Sequence, residues 1–407
     1  MIRTTLLALF LSGSTLRADD WPQFRGPSGS GKAPGAEAPV EWGTGKNIRW
    51  RVSLDGLGNS SPIVSGGRVF VTVATDKGKS RSLHCFDRKT GGLLWTATVN
   101  LQAIEPTRED NPSCGSTPCA DGERVVVWHA SAGLHCYDYE GKSLWSRDFG
   151  RIDHMWGYGS SPIFHGDLVL LNVGPGDRSF LVAVNRKSGD VVWKTEEPGG
   201  QSKGWIGSWC TPRIVTIDGK DEILVAWPNH VKAYEPATGR EIWRCEGLGK
   251  LVYADVAVDA GIGVATGEDE GGDSIGFRLG GKGDVTASAR LWSAPRPLEV
   301  GTGMIVDGHL WTADNGGVLR CTDVQTGHPS LEARLPGGAA WSSVVSSGGR
   351  LYITTRSGDT VVFRPDRKEW KPLAVNKLGE PTNSTPAISD GEIFLRTSKA
   401  LYCIAAP

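Results

Sequence analysis

The side chains best equipped for chemistry lie in stretches of the 407-residue chain that do not recur elsewhere in it. Arg108 sits in a charged run, 105–111, reading Glu-Pro-Thr-Arg-Glu-Asp-Asn. Asp153, His154 and Trp156 come together in residues 151–158, Trp205 falls in 203–209, and Trp341 follows a pair of alanines. Tyr253-Ala254-Asp255, residues 296–299 and residues 380–383 are of the same kind. Charged groups and indoles converging on one opening suit a polar, ring-shaped ligand that is stacked and hydrogen-bonded. The alternative is that these aromatics only plug a channel and pack between elements. The ligand- or partner-binding candidates are therefore Arg108, Asp153, His154, Trp156, Trp205 and Trp341. No Ser/His/Asp or paired-glutamate arrangement stands out, so no catalytic residue is assigned.

No metal site is expected. Cys114 and Cys119 bracket Gly-Ser-Thr-Pro, which leaves a local disulfide open in an oxidising compartment beside the alternative of free thiols. No His or Cys partner stands at the spacing a zinc site needs. Cys85, Cys136, Cys321 and Cys403 share one position with Ala183 and Ala233, the slot of a small buried hydrophobe. Cys210 fills another small-residue slot, and Cys245 has no sequence partner. His84 and His135 also share a position, which suits a strand better than a reaction. The acidic run 268–273 lacks the alternating ligand spacing of a calcium loop and reads as a solvated turn.

The elements that must position these residues are repeats, which take precedence over any local signal. One signature is a small or hydroxyl pair followed by Pro: Ser60-Ser61-Pro62, Ser116-Thr117-Pro118, Ser160-Ser161-Pro162, Cys210-Thr211-Pro212 and Ser384-Thr385-Pro386. Degenerate copies fall at Gly303-Met304-Ile305 and Ser342-Ser343-Val344. A Gly-containing turn and an apolar strand follow each. The second signature is a hairpin such as LVAVNRKSGDVVW (181–193), in which Gly189 can take φ > 0 and β-branched runs flank the turn. It recurs at 83–95, 134–145, 231–243 and 319–331. Its closing residues Trp95, Trp145, Trp193, Trp243 and Trp292 lie 48 to 50 positions apart. Four short strands in each unit of roughly 40–50 residues make one propeller blade.

Counting units predicts an all-β, eight-bladed β-propeller of four-stranded antiparallel blades. The eighth copy begins at Ser384 and has only three strands. Residues 47–52, Asn-Ile-Arg-Trp-Arg-Val, carry a Trp but belong to no blade, so they are expected to complete the last blade and close the ring. The predicted layout is a signal peptide over 1–18, an extended segment over 19–46 pinned by Trp21, Phe24 and Trp42, and the propeller over 47–407. Arg3 followed by a short apolar core at 6–11 supports the signal. Lys+Arg 44 against Asp+Glu 45 leaves a net charge of −1, which argues against a nucleic-acid partner. No cysteine precedes Cys85 to carry a lipid, and no later run is long enough to span a membrane.

The repeat Ala/Cys-x-Asp-x-x-Thr-Gly-x-x-x-Trp, read at 85–95, in variant form at 183–193 and 233–243, and without the Trp at 321–331, resembles that of the PQQ-like (quinoprotein-type) propeller family. The opening Asp-Trp-Pro-Gln-Phe-Arg-Gly-Pro (20–27) is similar to exported bacterial members. The resemblance implies that Trp50, Trp95, Trp145, Trp193, Trp243 and Trp292 dock blades together, over the Gly turn and against the small residue of a neighbouring blade. Two branches of the family differ in function. The PQQ-dependent dehydrogenases hold quinone and Ca²⁺ in the funnel, often over adjacent cysteines; here no cysteines are adjacent, and the calcium-ligand and catalytic Asp motifs find no match. The BamB-like branch of outer-membrane assembly factors binds partners without catalysis.

The expectation is thus an exported, monomeric, periplasmic or extracellular binding or scaffold propeller with no cofactor. Its partners would be envelope proteins or a small polar or carbohydrate ligand. The alternatives are a PQQ-dependent oxidoreductase of alcohols or sugars, with calcium, and a carbohydrate-binding propeller.

Overall fold

A computed structural model describes residues 20–201, 203–268 and 273–406; the expected signal peptide and most of the acidic run lie outside them. Among the described residues eight sheets form the blades of a ring, and Gly207–Ser208 pairs in parallel with Leu251–Val252 as a small ninth sheet. Blade 1 is Ile63–Ser65, Arg68–Thr75, Ser80–Asp87 and Leu93–Asn100, hydrogen-bonded in that order from the central axis outward. Blades 2, 3, 5, 6 and 7 repeat this meander, beginning at Cys119, Ile163, Ala257, Met304 and Val345. Blade 4 begins at Arg213 and carries a fifth strand, Gly283–Asp284, which pairs in parallel with its outer strand Glu241–Glu246.

Blade 8 holds Ala387–Ser389, Glu392–Arg396 and Ala400–Ile404, and its outer strand is Ile48–Ser53. Trp50 opposes Cys403 and Val52 opposes Leu401. The N-terminal strand therefore closes the ring, as the strand count required. Closure leaves no end blade with a bare face.

Burial follows position within a blade. Middle strands are sandwiched by both neighbouring blades, so their sequences are apolar on both faces: Arg124–Trp128 and Ala400–Ile404 are almost wholly buried. Outer strands face solvent and alternate, as Leu93–Asn100 does.

The repeat motif has a local explanation. Asp87 Oδ1 accepts from the Lys89 and Thr90 amides at 3.0 and 2.8 Å, making a side-chain-capped turn. Asp138, Asn185 and Asp323 cap the equivalent turns. Gly91 then takes φ +72°, and the space a Cβ would fill is occupied by the Trp50 ring from the preceding blade, 2.8 Å away. Trp50 Nε1 also donates to Arg88 O at 2.9 Å.

The same seam recurs at Trp95 with Gly141, Trp145 with Gly189, Trp193 with Gly239 and Trp292 with Gly327. Two features differ from the family-based expectation. The small residue under each Trp is its cross-strand partner in the same blade, as in Cys85–Trp95 and Ala183–Trp193. Trp243 donates to Glu222 Oε2 of its own blade at 2.7 Å and meets Phe277 edge-on, because blade 5 lacks the capped Gly turn. All eight cysteines are free and buried, so Cys114 and Cys119 form no disulfide.

Candidate functional site

The signature residue before each Pro faces the axis. Pro lacks an N–H and so fits the start of an innermost strand, whose outer edge has no ladder to join. It also holds the preceding residue extended. That residue gives its own amide to the next blade. Ser61 N–H donates to Thr117 Oγ1 at 2.9 Å, Thr117 N–H to Ser161 Oγ at 3.0 Å, and Ser161 N–H to Thr211 Oγ1 at 3.2 Å. Thr211 N–H donates to Asp255 Oδ1 at 2.7 Å, and Asp255 N–H to Thr302 Oγ1 at 2.9 Å. Thr302 N–H reaches Ser343 Oγ at 3.1 Å, Ser343 N–H reaches Thr385 Oγ1 at 2.9 Å, and Thr385 N–H returns to Ser61 Oγ at 3.0 Å. The eight bonds make a closed circle around the channel, with seven hydroxyls and one carboxylate.

The circle is the floor of a funnel of about 320 Å³. Beneath it runs the N-terminal segment. Asp20 Oδ2 accepts from the Gly66 amide at 3.1 Å, and Trp21 exchanges backbone bonds with Val64 at 2.8 and 2.9 Å. Gly26, at φ +81°, lets the chain bend against the Trp21 ring, 3.0 Å from a notional Cβ. Phe24 is thereby placed at the base of the funnel. Arg25 is buried, donating to Thr302 O, Val344 O and Gly303 O at 3.0–3.1 Å. Trp21 and Trp42 are buried in the core.

Asp255 is the one ionisable member of the circle. Burial pushes its carboxyl up to about 6, against the pull of the Thr211 amide and of the Arg25 and Arg213 charges. Arg25 and Arg213 are themselves lowered by burial, to about 9 and about 10, and both stay protonated at neutral pH.

One wall of the funnel is aromatic. Trp156, Trp209 and Tyr253 lie within 20–29° of one another, with centroids 5.0–6.2 Å apart. The mouth is polar. Asp110 stands 3.2 Å from Arg108 and 3.9 Å from Arg356. Arg108 lies over Trp156 and Arg356 over Trp341, at 5.7 and 4.2 Å from the ring centroids.

Of the six residues singled out from sequence, Arg108, Trp156 and Trp341 line the funnel. Trp205 is 65% exposed and stands 5.6 Å from Trp156, on the rim. His154 does not line the funnel. It is buried behind the wall, accepting the Trp156 amide on Nδ1 at 3.2 Å and meeting Trp209 edge-on at 4.9 Å, and burial lowers its pKa and keeps it neutral. Asp153 is exposed and lines nothing.

Sequence reasoning passed over the floor hydroxyls, Arg356 and Asn315, and it named Asp255 within a candidate stretch without singling it out. The floor had a signal, the residue before each Pro, but it looked like a strand start. Among the described residues no group of three or more His, Cys, Asp or Glu side chains is placed to hold a metal ion, and no helix is long and apolar enough to cross a membrane.

The sequence pattern of the family described as outer membrane protein assembly factor BamB matches residues 40–219, 79–330 and 227–400. No curated protein matches the chain in sequence. Among solved structures, a europium-containing methanol dehydrogenase superimposes with a TM-score of 0.69 at 12% identity, over 96% of this chain and 98% of that one. BamB from Moraxella catarrhalis gives 0.62 at 13% identity over 88% and 99%. A quinohemoprotein alcohol dehydrogenase from Pseudomonas putida HK5 gives 0.61 at 11% identity over 95% and 80%. At these identities the likeness is one of fold.

Proposed function

The chain belongs to the family of the outer membrane protein assembly factor BamB, and from that premise we propose that it is a non-enzymatic, exported binding protein of the cell envelope that takes its partner at the funnel. The observation that carries this reading is the finish of the funnel: fixed hydroxyls, amides and indoles, with each of its two carboxylates tied to at least one group of the chain. Asp110 is shared between Arg108 and Arg356, and Asp255 belongs to the floor circle.

The calcium and quinone of the dehydrogenase branch suit this donor set poorly. A hard cation of that size takes six to eight oxygens, and these two carboxylates stand beside arginines. The quinone reading keeps one supporting observation, since the flat wall of Trp156, Trp209 and Tyr253 would stack against a planar ring.

The test is titration of the purified chain with PQQ and Ca²⁺, followed by quinone absorbance and by dye-linked alcohol oxidation. The expected outcome is no saturable change and no turnover, with recovery of a partner from cell envelopes through the funnel rim. Saturable binding with turnover would make the protein an oxidoreductase instead.

A further inference from the structure

Resting on that reading of the funnel as a recognition site, we propose that it binds a neutral saccharide, held on the hydroxyl floor against the aromatic wall.

The floor presents donors. Each of the seven hydroxyl oxygens in the circle accepts an amide from the preceding blade, and among the described residues none of their protons has an acceptor. All seven side chains are more than nine-tenths buried, yet all face the funnel. A buried hydroxyl that accepts one bond but has nothing to give its proton to is only half satisfied; seven such protons converging on one cavity are a surface finished for something outside the chain. Asp255 breaks the pattern. Its Oδ1 takes the Thr211 amide, and its other oxygen has no hydrogen-bond partner among the described residues, so it is the floor's one open acceptor.

The next tier up mixes both roles. Asn59 and Asn383 each donate through Nδ2 to Asp110 O, at 2.8 and 2.9 Å, which leaves each Oδ1 free to accept. Asn315 does the reverse: its Oδ1 accepts Trp341 Nε1 at 2.8 Å, which leaves its Nδ2 free to donate.

The floor and these three asparagines together offer eight donors and three acceptors. An anion only accepts and would leave Asp255, Asn59 and Asn383 unmatched; a cation only donates and would leave the floor unmatched. A hydroxyl group accepts through two lone pairs and donates one proton, close to the ratio the site presents. Charge points the same way. Arg108 and Arg356 each lie over an indole and share Asp110, so their charge is partly neutralised within the chain, and the one net positive charge left at the rim is what the glucuronate arm of the experiment tests. The flat wall suits the C–H face of a pyranose. A peptide has a similar donor ratio but needs a groove open at both ends, and Phe24 and Arg25 close this funnel below. A cavity of about 320 Å³ matches the lower end for small-ligand sites, roughly 300 Å³.

The experiment is titration of the full chain with glucose, maltose, cellobiose and N,N′-diacetylchitobiose, read by tryptophan fluorescence and calorimetry. Glucuronate and PQQ serve as competitors. We expect saturable binding of at least one neutral sugar and weaker binding of glucuronate. Asp255→Asn and Asn383→Ala should each weaken it on the order of tenfold, with circular dichroism showing that both variants fold. A folded wild-type chain that responds to none of the four sugars, or that prefers glucuronate or PQQ, overturns the proposal. If the sugars fail while an envelope protein is captured and released by Trp205→Ala, only the saccharide assignment falls. If both fail, the recognition reading falls with it.

Discussion

The Thr385 amide donates to Ser61 Oγ at 3.0 Å across 324 positions of sequence. This bond turns a row of seven inter-blade contacts into a circle, and it lies at the same seam where Ile48–Ser53 completes blade 8. Arg396 reinforces that seam from inside: it is buried and donates to Ser60 Oγ at 3.1 Å and Thr72 O at 3.0 Å in blade 1. The ring is thus joined at the floor, in the blade interior and at the outer edge.

Ser61→Ala should therefore destabilise the fold. It strands the buried Thr385 amide, at a cost of about 1–3 kcal/mol. Thr117→Ala strands the Ser61 amide in the same way, without touching the seam between first and last blades. If the circle acts as a unit, both variants should lower the melting temperature by similar amounts, a few degrees in a chain of this size. Differential scanning calorimetry decides it, and a clearly larger loss for Ser61→Ala would mean that the seam is the weak point.

The blade-to-blade seams can be tested with a cycle. Gly189→Ala forces a side chain onto φ +71° and puts its Cβ 2.6 Å from the Trp145 ring, so it should cost about 1–3 kcal/mol. Trp145→Ala should cost about 3–5 kcal/mol through lost packing and the lost bond from Nε1 to Arg186 O. In the double variant the clash has gone and only the backbone strain remains. The two losses should then sum to more than the double loss, by about 1 kcal/mol or more in denaturant unfolding.

The blades were legible because their causes are local. The turn cap at Asp87, the left-handed Gly91 and the closing Trp each leave a mark on the sequence at fixed spacing, and repetition confirms the period. The unpaired strand was legible too, since counting to eight left one strand short and residues 47–52 to spare. The floor was not. Each of its bonds joins residues more than 40 positions apart, and a hydroxyl before Pro reads the same whether it faces an axis or a turn. Asp255 was legible as a charged residue in a non-repeating stretch but not as a member of the circle, because blades 5, 6 and 7 lack the Pro that marks the position. Nothing local says that Phe24 and Arg25 pass beneath the channel; that follows from where Asp20 and Trp21 are anchored on blade 1.

The segment under the floor should depend on Arg25. Arg25→Met keeps the volume but removes the donors to Thr302 O, Val344 O and Gly303 O, leaving three carbonyls without that partner. We expect faster proteolysis within residues 20–46 and a melting temperature lowered by a few degrees. Mass spectrometry of timed digests reports it. Cleavage no faster than in the wild type would mean that Trp21 and Trp42 anchor the segment by themselves.

Asp255 gives the floor a pH signature whose sign is fixed. Its carboxyl titrates near 6 in the folded chain and near 3.9 when unfolded. Between about pH 4 and 6 the folded chain holds a proton that the unfolded chain has released. Stability from this group is therefore full below about pH 4, falls as the pH rises through that window, and levels off above about 6, a loss of about 2–3 kcal/mol. Asp255→Asn keeps an oxygen for the Thr211 amide and cannot ionise. The variant's melting temperature relative to wild type should rise across that window and then stay constant, even as its sugar binding weakens. A difference that falls over the same window would show that the Arg25 and Arg213 charges outweigh burial, and that the carboxylate is in the ring to hold the N-terminal segment in place.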